Sequence, residues 1–189
     1  MNLTNKLTLI RIFMIPLFVA VYFIPAIPFN YVISAVVFTL AALTDFLDGY
    51  IARKYNLVTN LGKFLDPIAD KVLVSTALIV MLVAVDGQLI LPAYSAIAVA
   101  IILARELIVS GFRIVAASKG TVLAADKAGK IKTFFQDVAV VVLLVGADVM
   151  TGLYSIMNIV GLIILGIATL LTIISGAECM IKNSAVLKD

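Results

Sequence analysis

Between Asp45 and Asp70 the sequence DFLDGYIARKYNLVTNLGKFLDPIAD sets four aspartates, three cations and two glycines into a chain otherwise dominated by Ile, Leu, Val and Ala. Asp45 and Asp48 are three apart and Asp66 and Asp70 four apart, so on two helices each pair occupies one helical face. Two such pairs facing each other form a cage of carboxylate oxygens. Near a membrane, four packed carboxylates repel one another unless some are protonated or a cation sits among them. The chain has no His and a single Cys, Cys179, which removes the usual ligands of zinc, copper and iron sites. What remains is an all-oxygen site suited to a hard divalent cation, Mg²⁺ or Mn²⁺. Without His, a general base must be a carboxylate, a Lys, a Tyr or water, and Asp is the obvious candidate. A plainer alternative pairs the aspartates with Arg53, Lys54, Lys63 and Lys71 at a solvated membrane edge. That alternative accounts for one pair of aspartates more easily than for two at helical spacing.

The elements that must position these residues are membrane helices. At 189 residues, 63% hydrophobic and 13% charged, with mean hydropathy +1.20, the composition is that of a polytopic membrane protein rather than a soluble domain. There is room for about six spans of roughly twenty residues. The expected fold is all-α: a six-transmembrane-helix bundle, one membrane domain over residues 1–189, with MNLTNKLTLIR as a short N-terminal interfacial segment. The first apolar stretch, about residues 7–24, lacks a small-residue cleavage pattern and is expected to be a retained span. PAIPFN breaks the helix, and a second span from about Tyr31 carries the first aspartate pair at its end. Residues 56–62 are expected to form the connection, with Asn60 and Gly62 as turn formers, and the third span to start near Asp66-Pro67 and fade at Asp86-Gly87. The fourth is expected from about Leu91-Pro92 to Ala117. After SKGTVLAADKAGK, a fifth ends around Gly146, and a smooth sixth covers about Tyr154 to Ser175, offering a face on which a second copy could pack as a homodimer. A lone Cys excludes an intramolecular disulfide.

All fourteen Lys and Arg fall on one side of this arrangement, because the connections near residues 25–30, 86–90 and 147–153 contain none. By the positive-inside rule that side is cytoplasmic, and both termini and the aspartates lie there. No basic stripe on a soluble face supports nucleic-acid binding.

A second polar cluster holds Arg105, Glu106 and Arg113, then Lys127, Lys130 and Lys132. Arg105 and Arg113 are eight apart, nearly on one helical face, which suits clamping an anion such as phosphate. Alternatively Arg105 pairs with Glu106 or Asp137 while the lysines touch lipid phosphates. Lys127 and Lys132 are expected to be surface charges. Asn5, Thr8 and Arg11 either contribute to this pocket or, for Asn5 and Thr8, cap the first helix.

Asp45, Asp48, Gly49, Ala52, Arg53, Gly62, Asp66 and Asp70 reproduce D-x2-D-G-x2-A-R-x8-G-x3-D-x3-D with every spacing intact. In this the chain resembles the CDP-alcohol phosphatidyltransferases, which transfer a phosphatidyl group from CDP-diacylglycerol to an alcohol and release CMP. NKLTLIR, RELIVSGFR and GKIKT further resemble the branch that uses glycerol 3-phosphate. The resemblance implies two divalent ions held by Asp45, Asp48, Asp66 and Asp70, with Asp70 as general base toward the 1-hydroxyl of glycerol 3-phosphate. It implies CDP-diacylglycerol against Asp48, Gly49, Ala52, Arg53 and Gly62, and the glycerol phosphate against Lys63, Arg105, Arg113 and Lys130. Residence in the bacterial cytoplasmic membrane, among membrane lipids, follows from it. Inositol phosphate, serine or phosphatidylglycerol are alternative acceptors. A divalent-cation transporter is the alternative of a different class, and it would carry polar residues across the midplane.

Overall fold

The computed structural model describes residues 3–55, 60–119, 127–148 and 151–183. These form six helices, α1 (Leu3–Phe23), α2 (Asn30–Tyr55), α3 (Asn60–Val80), α4 (Ser95–Ser118), α5 (Lys127–Ala147) and α6 (Thr151–Lys182), and among the described residues there is no strand. Three stretches, Asn5–Phe23, Ser95–Ser118 and Ile156–Lys182, are long and apolar enough to cross a membrane, and Asn30–Asp45 is a shorter apolar one. The chain is an all-helical membrane protein.

The outer surface is as apolar as the core. Phe13, Ile97, Leu107, Ile114 and Leu170 are exposed, whereas Arg11, Lys132, Gln136, Thr172 and Ser175 are buried. In water that distribution would be unfavourable; in lipid it puts hydrocarbon against hydrocarbon and polar groups against one another. Phe18, Tyr22, Phe38, Leu73, Leu78, Met81 and Leu143 form the apolar centre. The most extensive helix contacts are α5 with α6 and α1 with α2; α6 also packs on α4.

One end of the bundle is tied by side chains bonded to distant backbone groups. Asn30 Nδ2 donates to the Tyr22 carbonyl at the end of α1 (2.9 Å), and the Asp148 carboxylate accepts the Val32 amide at the start of α2 (2.7 Å). Gln88 donates to the Ala147 carbonyl (2.8 Å) and Asn158 to that of Ile90 (3.1 Å). Each bond satisfies a backbone group that a helix end or loop leaves without a partner. Asp86 (φ 49°) and Gly87 (φ 78°) make the tight left-handed turn between Val85 and Gln88 that aims Gln88 at α5.

Several boundaries differ from expectation. α1 runs unbroken from Leu3 into the apolar stretch, so residues 3–11 of the expected interfacial segment belong to the same helix, and Asn5 and Thr8 are buried inside it rather than capping it. α3 starts at Asn60, so Asn60 and Gly62 are helical instead of forming a turn; residues 56–59 of the expected connection lie outside the described residues. α3 ends at Val80, short of Asp86-Gly87, and α4 starts at Ser95 rather than near Leu91. α5 starts at Lys127, taking in residues expected in the loop, and α6 continues past Ser175 to Lys182. Composition marks where a helix becomes polar, and the backbone does not end there, because Lys, Glu, Ala and Met are good helix formers.

The α5–α6 seam depends on glycine. A Cβ at Gly161 would lie 2.5 Å from Leu143 Cγ. Gly161→Ala is expected to lower the thermal midpoint in detergent by an amount equivalent to about 1–3 kcal/mol. Gly166→Ala on the same helix meets open space, and its midpoint should match that of the parent.

Candidate active site

The candidate site draws residues from all six helices. Arg11 of α1 is fully buried; its Nη1 lies 2.8 Å from Asp45 Oδ1 on α2, and its Nε donates to the Ala41 carbonyl at 3.3 Å. Arg11 thereby fixes the Asp45 carboxylate and offsets its charge. Asp70 on α3 lies within electrostatic reach of Asp45 and Arg11, and Asp137 on α5 within reach of both aspartates. One Asp137 oxygen is buried without a hydrogen-bond partner among the described residues.

Beside Asp70 opens a cavity of about 210 Å³, lined by Asp70, Lys71, Arg105, Glu106, Val109, Arg113, Gly129, Lys130, Lys132, Thr133, Ser175 and Cys179. Five cations face two carboxylates there, an excess of positive charge that suits an anion. The eight-residue spacing of Arg105 and Arg113 does bring both to one wall, and Lys130 joins them from α5.

Glu106 organises this wall. Its Oε1 accepts from Lys132 Nζ and, at 3.1 Å, from Arg105 Nη1. Arg105 Nη2 also donates to Ser175 Oγ on α6 at 2.8 Å. Lys71 Nζ donates to Ser110 Oγ, whose hydroxyl donates to the Glu106 carbonyl. The Glu106 carboxylate therefore joins α4 to α5, and Arg105 and Ser110 extend the network to α6 and α3. Lys132, expected as a surface charge, is buried: its ammonium reaches across to α4, where Glu106 supplies the counter-charge a buried ammonium requires. Arg105 pairs with Glu106, not Asp137. Arg11 joins the aspartates rather than the basic pocket. Arg113 and Lys130 make no ion pair or hydrogen bond among the described residues, which leaves both available to a ligand.

The side chains of Asp48, Gly49, Ala52, Arg53, Gly62, Lys63, Asp66 and Lys127 lie outside the described residues. Among the described residues no three potential ligands gather closely enough to hold a metal. The donor chemistry nevertheless fits a hard divalent cation: carboxylates from α2 and α3 come within electrostatic reach of each other at one end of the bundle, with no nitrogen or sulfur donor competing. Ser175 and Gly176 carry no signal in the sequence, Ser110 and Thr133 lie within RELIVSGFR and GKIKT without standing out there, and Lys71 reads only as a partner for the aspartates. Small hydroxyl residues and glycine inside apolar helices look like packing, and Lys71 stood among other topology-setting cations.

Comparison with known proteins gives the same direction. The CDP-alcohol phosphatidyltransferase family model matches residues 1–174. The chain belongs to this family. It is 43% identical over 203 residues to the Bacillus subtilis (strain 168) protein named CDP-diacylglycerol--glycerol-3-phosphate 3-phosphatidyltransferase, covering 99% of this chain and 97% of the relative. Proteins of that name from Rickettsia bellii and Salmonella typhimurium are 43% identical over 175 residues (93% of this chain, 91% of the relative) and 39% over 146 residues (76% of each). A phosphatidyltransferase must bring a lipid-borne diphosphate and a soluble alcohol to one place, and a cation-lined cavity at a bundle end meets the second need.

Removing the Glu106 carboxylate leaves Arg105 and Lys132 without their anion. Glu106→Ala is expected to destabilise the protein by about 3–5 kcal/mol, read as a large fall in thermal midpoint in detergent. Glu178→Ala breaks only the exposed pair with Lys182 at 3.5 Å, and its midpoint should barely move because solvent screens that pair.

Proposed function

We propose that this chain is a phosphatidylglycerophosphate synthase. It transfers the phosphatidyl group of CDP-diacylglycerol to the 1-hydroxyl of glycerol 3-phosphate, giving phosphatidylglycerophosphate and CMP. The observation that carries this reading is the place of Asp70, whose side chain borders both the neighbouring carboxylate and the cation-lined cavity. The names of the relatives, which specify glycerol 3-phosphate, support the choice of acceptor. At about 210 Å³ the cavity is smaller than the roughly 300–1,000 Å³ of drug-sized sites, which favours a small anion over a second phospholipid.

Arg113 and Lys130 receive the phosphate of the acceptor, with Arg105 held beside them, and Lys63 contributes to either substrate. An acceptor so held points its free hydroxyl toward Asp70, which takes the proton as that oxygen attacks the phosphorus bearing diacylglycerol. The new P–O bond forms as the bond to CMP breaks, and CMP leaves with the electron pair. No covalent enzyme intermediate is required. Asp45, Asp48, Asp66 and Asp70 would hold the divalent ions, Mg²⁺ or Mn²⁺ and two in number. Bound there, they would neutralise charge on the diphosphate under attack. Gly49, Ala52 and Gly62 allow the nucleotide close to the backbone, and Arg53 pairs with a phosphate.

The chain forms one membrane domain of six spans, with α3 and α5, each 21 residues, completing the set. The ends that carry Lys and Arg, and both termini, face the cytoplasm, by the distribution of those cations. The lipid substrate then stays in the bacterial cytoplasmic membrane while nucleotide and glycerol 3-phosphate exchange with water. The exposed apolar face of α6 suits a second copy as a homodimer.

Purified protein in detergent should release CMP with CDP-diacylglycerol, glycerol 3-phosphate and Mg²⁺, and lose that activity on chelation. Asp70→Asn should lower turnover by about 10²–10⁴-fold, the range of a general base, while CDP-diacylglycerol binding changes far less. Equal loss of both would make Asp70 a ligand only. Release of CMP with inositol phosphate or serine but not glycerol 3-phosphate would overturn the acceptor.

A further inference from the structure

We propose that Ser175 and Gly176, in the last turns of α6, are positioning residues that set the reach of Arg105 into the cavity and so tune recognition of the acceptor phosphate. This deepens the function proposed above and rests on it.

Arg105 is constrained along its whole length. Glu106 takes Nη1 at 3.1 Å and Ser175 Oγ takes Nη2 at 2.8 Å, so both prongs of the guanidinium are fixed from opposite sides. Ser175 is buried and its own hydroxyl donates to the Thr172 carbonyl at 3.3 Å, which turns an oxygen lone pair toward Arg105. Between these anchors the side chain lies on Gly176: a Cβ there would sit 2.9 Å from Arg105 Cγ and 3.0 Å from Nε. Arg105 Nε is buried without a hydrogen-bond partner among the described residues. The glycine backbone beneath it gives room and no acceptor.

A guanidinium held this way presents its remaining N–H groups in one geometry, and a planar, pre-oriented fork is what gives Arg its selectivity for phosphate. Were α6 to carry a side chain at position 176, Arg105 would have to lift or rotate, breaking one anchor.

The test is steady-state kinetics of CMP release by the purified full chain, with each substrate varied in turn. Gly176→Ala should raise KM for glycerol 3-phosphate by roughly tenfold or more, the effect of one lost charge-assisted hydrogen bond, with KM for CDP-diacylglycerol held within about twofold. Ser175→Ala should raise the same KM, and Ser175→Thr, which keeps the hydroxyl, should restore it. Gly166→Ala, which meets open space on the same helix, should leave both constants unchanged. If Gly176→Ala does not fold, the Ser175 pair carries the test. Folded variants with unchanged KM for glycerol 3-phosphate, or with both KM values rising together, would overturn the proposal. In that event Arg113→Gln separates the two levels: a raised KM for glycerol 3-phosphate keeps the cavity as the acceptor site and removes only the seat, whereas no change removes both.

Discussion

A half-buried carboxylate can serve two cations only when all three groups arrive on elements that are themselves fixed. Glu106 sits on α4, Lys132 reaches it from α5, and Arg105 passes from it to Ser175 on α6. Ion pairs of this kind gain little over an apolar packing of equal volume, because desolvation takes back most of the attraction. What Glu106 provides is geometry. It holds two of the cavity's cations in place, and beside them Arg113 and Lys130 have no ion-pair or hydrogen-bond partner among the described residues, so the same wall contains both restrained and available positive charge.

The membrane makes this arrangement affordable. With Phe13, Ile97, Leu107 and Leu170 facing outward, no apolar surface is left to drive helices together as in water. Specific polar contacts and close packing at Gly161 must do so. The two ends of the bundle divide that work. At the end away from the aspartates, Asn30, Gln88, Asp148 and Asn158 bond to backbone groups; at the aspartate end, side chains bond mostly to one another, where a ligand can also compete for them.

Much of the site was legible because its chemistry contradicts its surroundings. Asp45, Asp70, Arg105 and Arg113 are conspicuous in apolar sequence, and an eight-residue interval survives folding because helical periodicity is local. What was not legible depended on contacts between helices. Lys132 reads as an ordinary loop cation until α5 is seen to begin at Lys127 and the Lys132 ammonium to reach Glu106 of α4. Ser175 and Gly176 differ from the other small residues of α6 only because Arg105 lies across them. The turn expected at Asn60 and Gly62 failed for a related reason: local preference for a turn is worth less than continuing a helix that packs on its neighbours.

The cap on α2 carries a consequence for biosynthesis. Val32 N–H depends on the Asp148 carboxylate, 116 residues later in the chain. At a synthesis rate of about 5–20 residues per second, that partner emerges roughly 6–23 s after the hairpin it completes. During that interval the α1–α2 hairpin has Asn30 to close the end of α1, but the first turn of α2 must borrow water or lipid headgroups for its amide. The nascent protein thus waits on its fifth helix before its first loop acquires its final bonds, and the order of translation leaves that loop the last part of the early chain to settle.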